Sequence, residues 1–326
     1  MIRTMFTDLP DLAAERLGSA VVEANDEFFA AKEGLIRATA PVWREGEYTD
    51  RGKWMDGWET RRRRTPGHDW ATIRLGAPGI VRGVVIDTAF FTGNFPESAS
   101  VDGCADGVGH PGSEWFPLLP NVRLVGNAAN AFAIDTATRR VTHVRLNIFP
   151  DGGVARLRVH GEVVPDLVER KEQLDLAALL NGAVLIDCSD MHYGNPQNLI
   201  LPGASTHMGD GWETRRRRGP GHDWAIIRLA HRGVIQRVEL DTDHYKGNAP
   251  GRSMIEACDA AEGFDAATAT WRELVPESPL EPNARHRWEP VESQVATHVR
   301  LNIYPDGGVA RLRLFGTLAR DKSSDA

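Results

Sequence analysis

The chain has 326 residues, 41% of them hydrophobic and 25% charged, which is the balance of a folded soluble protein and not of a disordered or membrane-embedded one. Its formal charge of -7 argues against a general binder of nucleic-acid backbones. Met1 to Pro10 holds Arg3 and Asp8 and no apolar run of secretory type, and no stretch reaches the roughly 18 to 20 apolar residues of a spanning helix. Three cysteines (Cys104, Cys188, Cys258) give neither CxxC spacing nor an even framework, so a reducing, cytoplasmic location is expected.

In chain order, the first feature is a leading edge. DLAAERLGSAVVEAND (Asp11 to Asp26) returns weakly as DLAALLNGAVLIDCSD (Asp175 to Asp190). Next comes Pro41 to Lys53, rich in charge and glycine, which reads as an exposed loop inserted in the first copy only. Asp56 to Trp70 then repeats as Asp210 to Trp224, identical at 14 of 15 positions. If the quartet Arg61, Arg62, Arg63 and Arg64 lies in a strand, two guanidinium groups face each side. One pair then suits a carboxylate ligand through bidentate contacts, while the other is left to structural acids or to water.

Ala71 to Leu75 and Val81 to Asp87 read as strands. With Ala71, Ile73 and Leu75 inward, Asp69 shares their face and needs a partner, either an Arg of the quartet or loop amides. His68 and Trp70 then point the other way. His68 and Asp69 therefore cannot form a dyad with each other, and His68 is the acid–base candidate. Phe90, Phe91 and Thr92 in the first copy correspond to His244, Tyr245 and Lys246 in the second, a divergence that could distinguish an active copy.

Val141 to Phe149, the turn Pro150-Asp151-Gly152-Gly153, and Val154 to Val159 together suggest a hairpin. Thr142 to Gly161 recurs as Thr297 to Gly316 with 17 of 20 residues identical. Leu167 to Leu180 reads as a short helical linker, and Arg320 to Ala326 as a frayed tail. The expected organisation is a first repeat at 1–165, a linker at 166–174, a second repeat at 175–320 and a tail at 321–326. Short turn-punctuated strands in duplicate predict an all-β chain of two tandem jelly-roll β-sandwich domains.

No HExxH, P-loop, GxSxG or GxGxxG motif is present. No cofactor is expected, and a divalent metal stays open, because eleven histidines permit a site that no spacing specifies.

GWETRRRR with GHDW and THVRLNI-PDGGVARLR, each occurring twice, and DT…F-T-G-N, which returns as DT…Y-K-G-N, resemble the allantoicase (allantoate amidinohydrolase) family over roughly Leu17 to Gly316. The resemblance implies domains similar to galactose-binding modules, a homo-oligomer, a small-molecule substrate, and hydrolysis of allantoate to ureidoglycolate and urea in purine degradation. Charge and hydropathy, as above, lead to no expectation of a nucleic-acid or membrane partner.

That reaction needs a carboxylate anchor, an acceptor for ureido N–H groups, and one group that moves a proton. The first copy offers Arg61, Arg62, Arg63 and Arg64, then Glu59 and Asp69, then His68. The second offers Arg215, Arg216, Arg217 and Arg218, then Glu213 and Asp223, then His222, with Lys246 as an extra cation for the substrate. Glu59 and Glu213 are alternative acids or bases. The competing expectation is a non-catalytic tandem carbohydrate- or polyol-binding module.

Overall fold

The computed structural model describes residues 6–105, 114–135, 138–165, 173–260, 263–292 and 294–319. The chain divides into two compact units, Met1–Pro165 and Asp166–Ala326. Each unit carries one copy of the repeat. The expected linker at 166–174 lies largely outside the described residues, as does the tail at 321–326.

The first unit contains β1 (Ala20–Ala24), β2 (Tyr48–Thr49), β3 (Gly52–Lys53), β4 (Trp58–Glu59), β5 (Asp69–Asp87), β6 (Ser98–Cys104), β7 (Trp115–Arg123), β8 (Ala129–Ala133), β9 (Val141–Phe149), β10 (Gly153–Val154) and β11 (Arg156–Val163). The sequence suggests two strands between Ala71 and Asp87, but they are one 19-residue strand that serves two layers. Its first half pairs with β1 and β9 in a sheet ordered β1-β5-β9-β6-β7, and its second half pairs with β8 and β11. The crossing falls at Gly76-Ala77-Pro78. There the Gly76 amide leaves the ladder for Leu12 O (3.0 Å) and Ser19 Oγ (2.7 Å), and proline has no amide to offer.

Alternation along the strands then builds the core. Ile73, Val144, Leu146, Ile148 and Val101 from one sheet meet Val84, Ile86, Leu157 and Val159 from the other, all fully buried.

The second unit repeats this plan with β12 (Leu174–Asp175), β13 (Val184–Cys188), β14 (Trp212–Glu213), β15 (Asp223–Asp241), β16 (Arg252–Cys258), β17 (Arg272–Pro279), β18 (Arg285–Trp288), β19 (Val295–Tyr304), β20 (Gly308–Val309) and β21 (Arg311–Leu318). Here β15 joins β13 and β19 with its first half and β18 and β21 with its second. The architecture is all-β, two tandem jelly-roll sandwiches.

The fold departs from the sequence expectation at two places. Val141 to Val159 is not a hairpin, because β9 pairs with β5 and β6 while β11 pairs with the far half of β5. The Pro-Asp-Gly-Gly turn is an arch between layers. The described part of Leu167 to Leu180 forms strand β12 and a short 3-10 turn, Leu179–Asn181, in place of an α-helix. Leu174 and Asp175 reach the edge of β21, whose unpaired amides and carbonyls a helix could not satisfy.

Candidate active site

The arch brings the two near-identical blocks of each copy into contact. β4 pairs with β10, so Glu59 lies opposite Gly153. The Thr60 amide donates to Gly152 O (3.1 Å), the Gly152 amide to Thr60 Oγ1 (3.1 Å), and the Arg63 amide to Asp151 Oδ2 (2.8 Å). The second copy reproduces these bonds at Thr214, Gly307, Arg217 and Asp306. Trp58 and Trp212 are fully buried beneath the segment, and each donates its indole N–H to a backbone carbonyl, of Asp26 and Asp190 respectively, at 2.8 Å.

The Arg quartet is therefore not a strand, contrary to the sequence reading, because side chains take its backbone donors. Besides the Arg63 amide on Asp151, the Arg61 amide donates to Asp26 Oδ1 at 2.9 Å. The four side chains nevertheless divide alternately. Arg61 Nε reaches Asp26 Oδ2 (2.7 Å) and Arg63 Nε reaches Asp69 Oδ1 (3.2 Å). Arg62 and Arg64 are exposed and have no side-chain partner among the described residues.

In the second copy Arg217 binds Asp223, and Arg215 is shared between Asp190 (3.9 Å) and His192 Nδ1 (3.2 Å), while Arg216 and Arg218 are exposed. Burial pushes the Asp26 carboxyl up, but the Arg61 amide and guanidinium outweigh it and hold it below the usual range.

Asp69 and Asp223 face the core and are 2% and 1% exposed. Each is occupied by its arginine and by one neighbour, Asn25 Nδ2 (2.8 Å) for Asp69 and Ser189 Oγ (3.0 Å) for Asp223. Glu59 Oε1 accepts from Asn94 Nδ2 and Glu213 Oε1 from Asn248 Nδ2, both at 2.6 Å. Burial raises the Glu59 carboxyl, and the Asn94 bond opposes that rise. These asparagines belong to the Gly-Asn turns. Their role as partners of the glutamates is not visible in a turn signature.

Two pairs of consecutive ring residues differ systematically between the copies, and one member of each pair adjoins the glutamate segment, through the glutamate carbonyl or the glycine opposite it. Phe28, Phe29, Phe90 and Phe91 in the first are His192, Tyr193, His244 and Tyr245 in the second. Equivalence is fixed by shared bonds, since the Phe29 and Tyr193 amides donate to the Glu59 and Glu213 carbonyls, both at 3.1 Å. Tyr245 Oη donates to Met208 O (2.7 Å), and burial together with the Glu213 charge pushes its pKa up. His244 Nε2 lies 3.0 Å from Ser205 O. Lys246 is exposed and has no side-chain partner among the described residues.

His68 and His222 lie on the outer face of the five-stranded sheet, packed at a tilt of 33° against Phe149 (4.7 Å) and Tyr304 (4.6 Å). His222 Nε2 also meets Asn302 Oδ1 at 3.0 Å. No hydrogen bond or ring contact links either histidine to the glutamate of its block. The block thus presents two groups of chemistry, a glutamate–asparagine pair with free arginines and an outward imidazole. Among the described residues no cluster of three His, Cys, Asp or Glu is arranged to hold a metal ion, and no helix is long and apolar enough to cross a membrane.

Fold and site together define a duplicated jelly-roll protein with one carboxylate- and guanidinium-rich arch per repeat. The allantoicase repeat matches residues 10–164 and 174–319, and the chain belongs to that family. It is 52% identical over 316 residues to a probable allantoicase of Pseudomonas paraeruginosa (strain DSM 24068 / PA7), covering 94% of this chain and 95% of that one. A probable allantoicase 2 of Burkholderia pseudomallei (strain K96243) is 48% identical over 319 residues, covering 95% of each. The crystal structure of allantoicase from Saccharomyces cerevisiae superposes with a TM-score of 0.80 at 38% identity, covering 94% of this chain and 92% of that one.

Proposed function

We propose that this protein hydrolyses allantoate to ureidoglycolate and urea, as a cytoplasmic enzyme that assembles with copies of itself. The observation that carries this reading is similarity along nearly the whole chain to proteins named allantoicase. The chemistry of the block agrees with it. Allantoate carries a carboxylate on a carbon that also bears hydrogen and two ureido groups. Water oxygen must bond to that carbon while one ureido nitrogen leaves with an added proton.

Arg62 and Arg64, or Arg216 and Arg218, have guanidinium groups free for the carboxylate. Arg61, Arg63, Arg215 and Arg217 are engaged by acids and hold the arch in place. Asp69 and Asp223 are buried under those arginines, so the glutamates are the better acceptors for ureido N–H groups. His68 or His222 moves the proton.

Purified protein mixed with allantoate is expected to release urea, and either His68→Ala or His222→Ala should lower kcat by about 100-fold or more. Near-wild-type rates in both variants would remove histidine from the mechanism. Calorimetric binding of simple sugars without urea release would favour a carbohydrate-binding module instead.

A further inference from the structure

The two histidines occupy equivalent positions in different settings. Asn302 is 1% exposed, and its Nδ2 donates to Glu256 Oε2 (2.9 Å) and, at longer range, to Met254 O (3.4 Å). Both partners only accept, so the amide nitrogen must face them and Oδ1 must face His222. Glu256 is itself held by Arg300, through Nε (2.7 Å) and Nη2 (2.6 Å), and the Arg300 guanidinium lies 4.6 Å from the Trp271 ring.

The consequence runs back along the chain of bonds. An acceptor opposite Nε2 makes Nε2 the protonated nitrogen of neutral His222, and Nδ1 then carries the lone pair, with no protein partner among the described residues.

The first copy lacks this arrangement. Asp102 stands where the second copy has Glu256, and Asn147 Nδ2 donates to Asp102 Oδ2 (2.8 Å) and Ser100 Oγ (3.1 Å) without reaching His68. With the shorter acid, Arg145 is not drawn onto it and lies between Trp70 (4.9 Å) and Trp115 (4.2 Å).

We propose that proton transfer belongs to the second copy, where Asn302 and Glu256 are positioning residues that fix His222 with Nδ1 as the reacting nitrogen. This rests on the hydrolytic reading given above. In the step, Nδ1 takes a proton from water as the water oxygen bonds to the substrate carbon, the carbon–nitrogen bond breaks, and that proton passes to the departing urea nitrogen. Nε2–H stays on Asn302 throughout, where its bond strengthens while the ring is cationic.

The charged and titratable groups around the ring come from several elements. They are Tyr304 tilted against it, Arg252 over Tyr304 (5.7 Å) with its partner Glu277, Arg217 beside Gly221, and the Arg300–Glu256 pair behind Asn302.

The test is the pH profile of urea release from allantoate by the full chain. Asn302→Ala removes an acceptor that favours the imidazolium, so the acidic limb of kcat/KM should move to lower pH while kcat falls about tenfold at unchanged KM. Glu256→Ala should approach that behaviour, and the isosteric Glu256→Gln, which can still accept from Asn302, should recover most of the rate. Asn147→Ala in the first copy should leave rate and profile as in the wild type.

A fall in kcat with an unmoved acidic limb in both Asn302→Ala and Glu256→Ala would overturn the proposal. So would an equal effect of Asn147→Ala. Absence of urea from the wild type would instead overturn the hydrolytic reading beneath it.

Discussion

Asp69 and Asp223 show how little of a charge-rich block is free for chemistry. Each is a carboxylate on the core side of its strand, and each is held by the third arginine of its quartet. Strand alternation alone placed Asp69 inward beside Ala71 and Ile73, so this part was legible in the sequence. What alternation could not supply is the partner of each remaining arginine, because Asp26 lies 35 residues from Arg61.

Arg63→Ala should therefore destabilise the first unit by about 3–5 kcal/mol, since it leaves a buried charge unpaired. Arg62→Ala, with no side-chain partner to lose among the described residues, should stay within about 0.5 kcal/mol of the wild type. Chemical denaturation of the two variants checks the contrast.

His298 makes a pH prediction at the same scale. Burial first, and then the Arg228 charge, push its pKa down to about 4. The unfolded imidazole titrates near 6.5, as an ordinary histidine does. Between those values the unfolded chain binds a proton that the folded chain refuses, so stability falls as pH drops from about 6.5 to about 4 and is insensitive to this group above that window. In His298→Gln the dependence across that window should be shallower, as read from unfolding midpoints at stepped pH.

At the scale of elements, the arch between β9 and β11 is the feature that local signals misrepresent. Pro-Asp-Gly-Gly is a sound turn signature, yet turn chemistry does not say whether the flanking strands share a sheet. That is decided by non-local partners, here the far half of β5 and the Thr60 and Arg63 amides. The extra loop of the first copy is likewise only half legible. Its exposure is readable from composition, but the stacking of Lys53 on Trp43 (4.2 Å) and of Trp43 near Phe90 (5.9 Å) is not.

The arch glycines carry a direct test. A Cβ at Gly308 would lie 2.0 Å from the Tyr245 ring, and one at Gly153 would lie 1.9 Å from the Phe91 ring. Gly308→Ala must push Tyr245 aside, and Glu213 sits opposite it on the paired strand. A loss of about 1–3 kcal/mol is expected, with urea release falling in parallel. A variant with wild-type unfolding temperature and rate would show that the ring is not wedged there.

For the whole molecule, duplication was the most legible property, since two long blocks recur at nearly constant offset and each unit has its own core. Where the copies part company was less legible. The sequence pointed to Phe90 to Thr92 against His244 to Lys246. The structure extends that difference to four ring positions per copy, two of them beside the glutamate segment, and adds the exchange of Asp102 for Glu256. These residues come from separate segments and become comparable only once the strands are paired.

Near-identity of the WETRRRR and GHDW blocks reflects a shared scaffold of buried tryptophans, arches and ion pairs, and the chemistry rests on the few side chains that scaffold leaves free. Hydrolysis of allantoate by this duplicated scaffold is tested most directly by quantifying urea over time from allantoate incubated with the purified, folded full-length chain. Urea and ureidoglycolate formed in equal amounts, at a rate proportional to protein, is the predicted result. A folded protein that forms neither would contradict it.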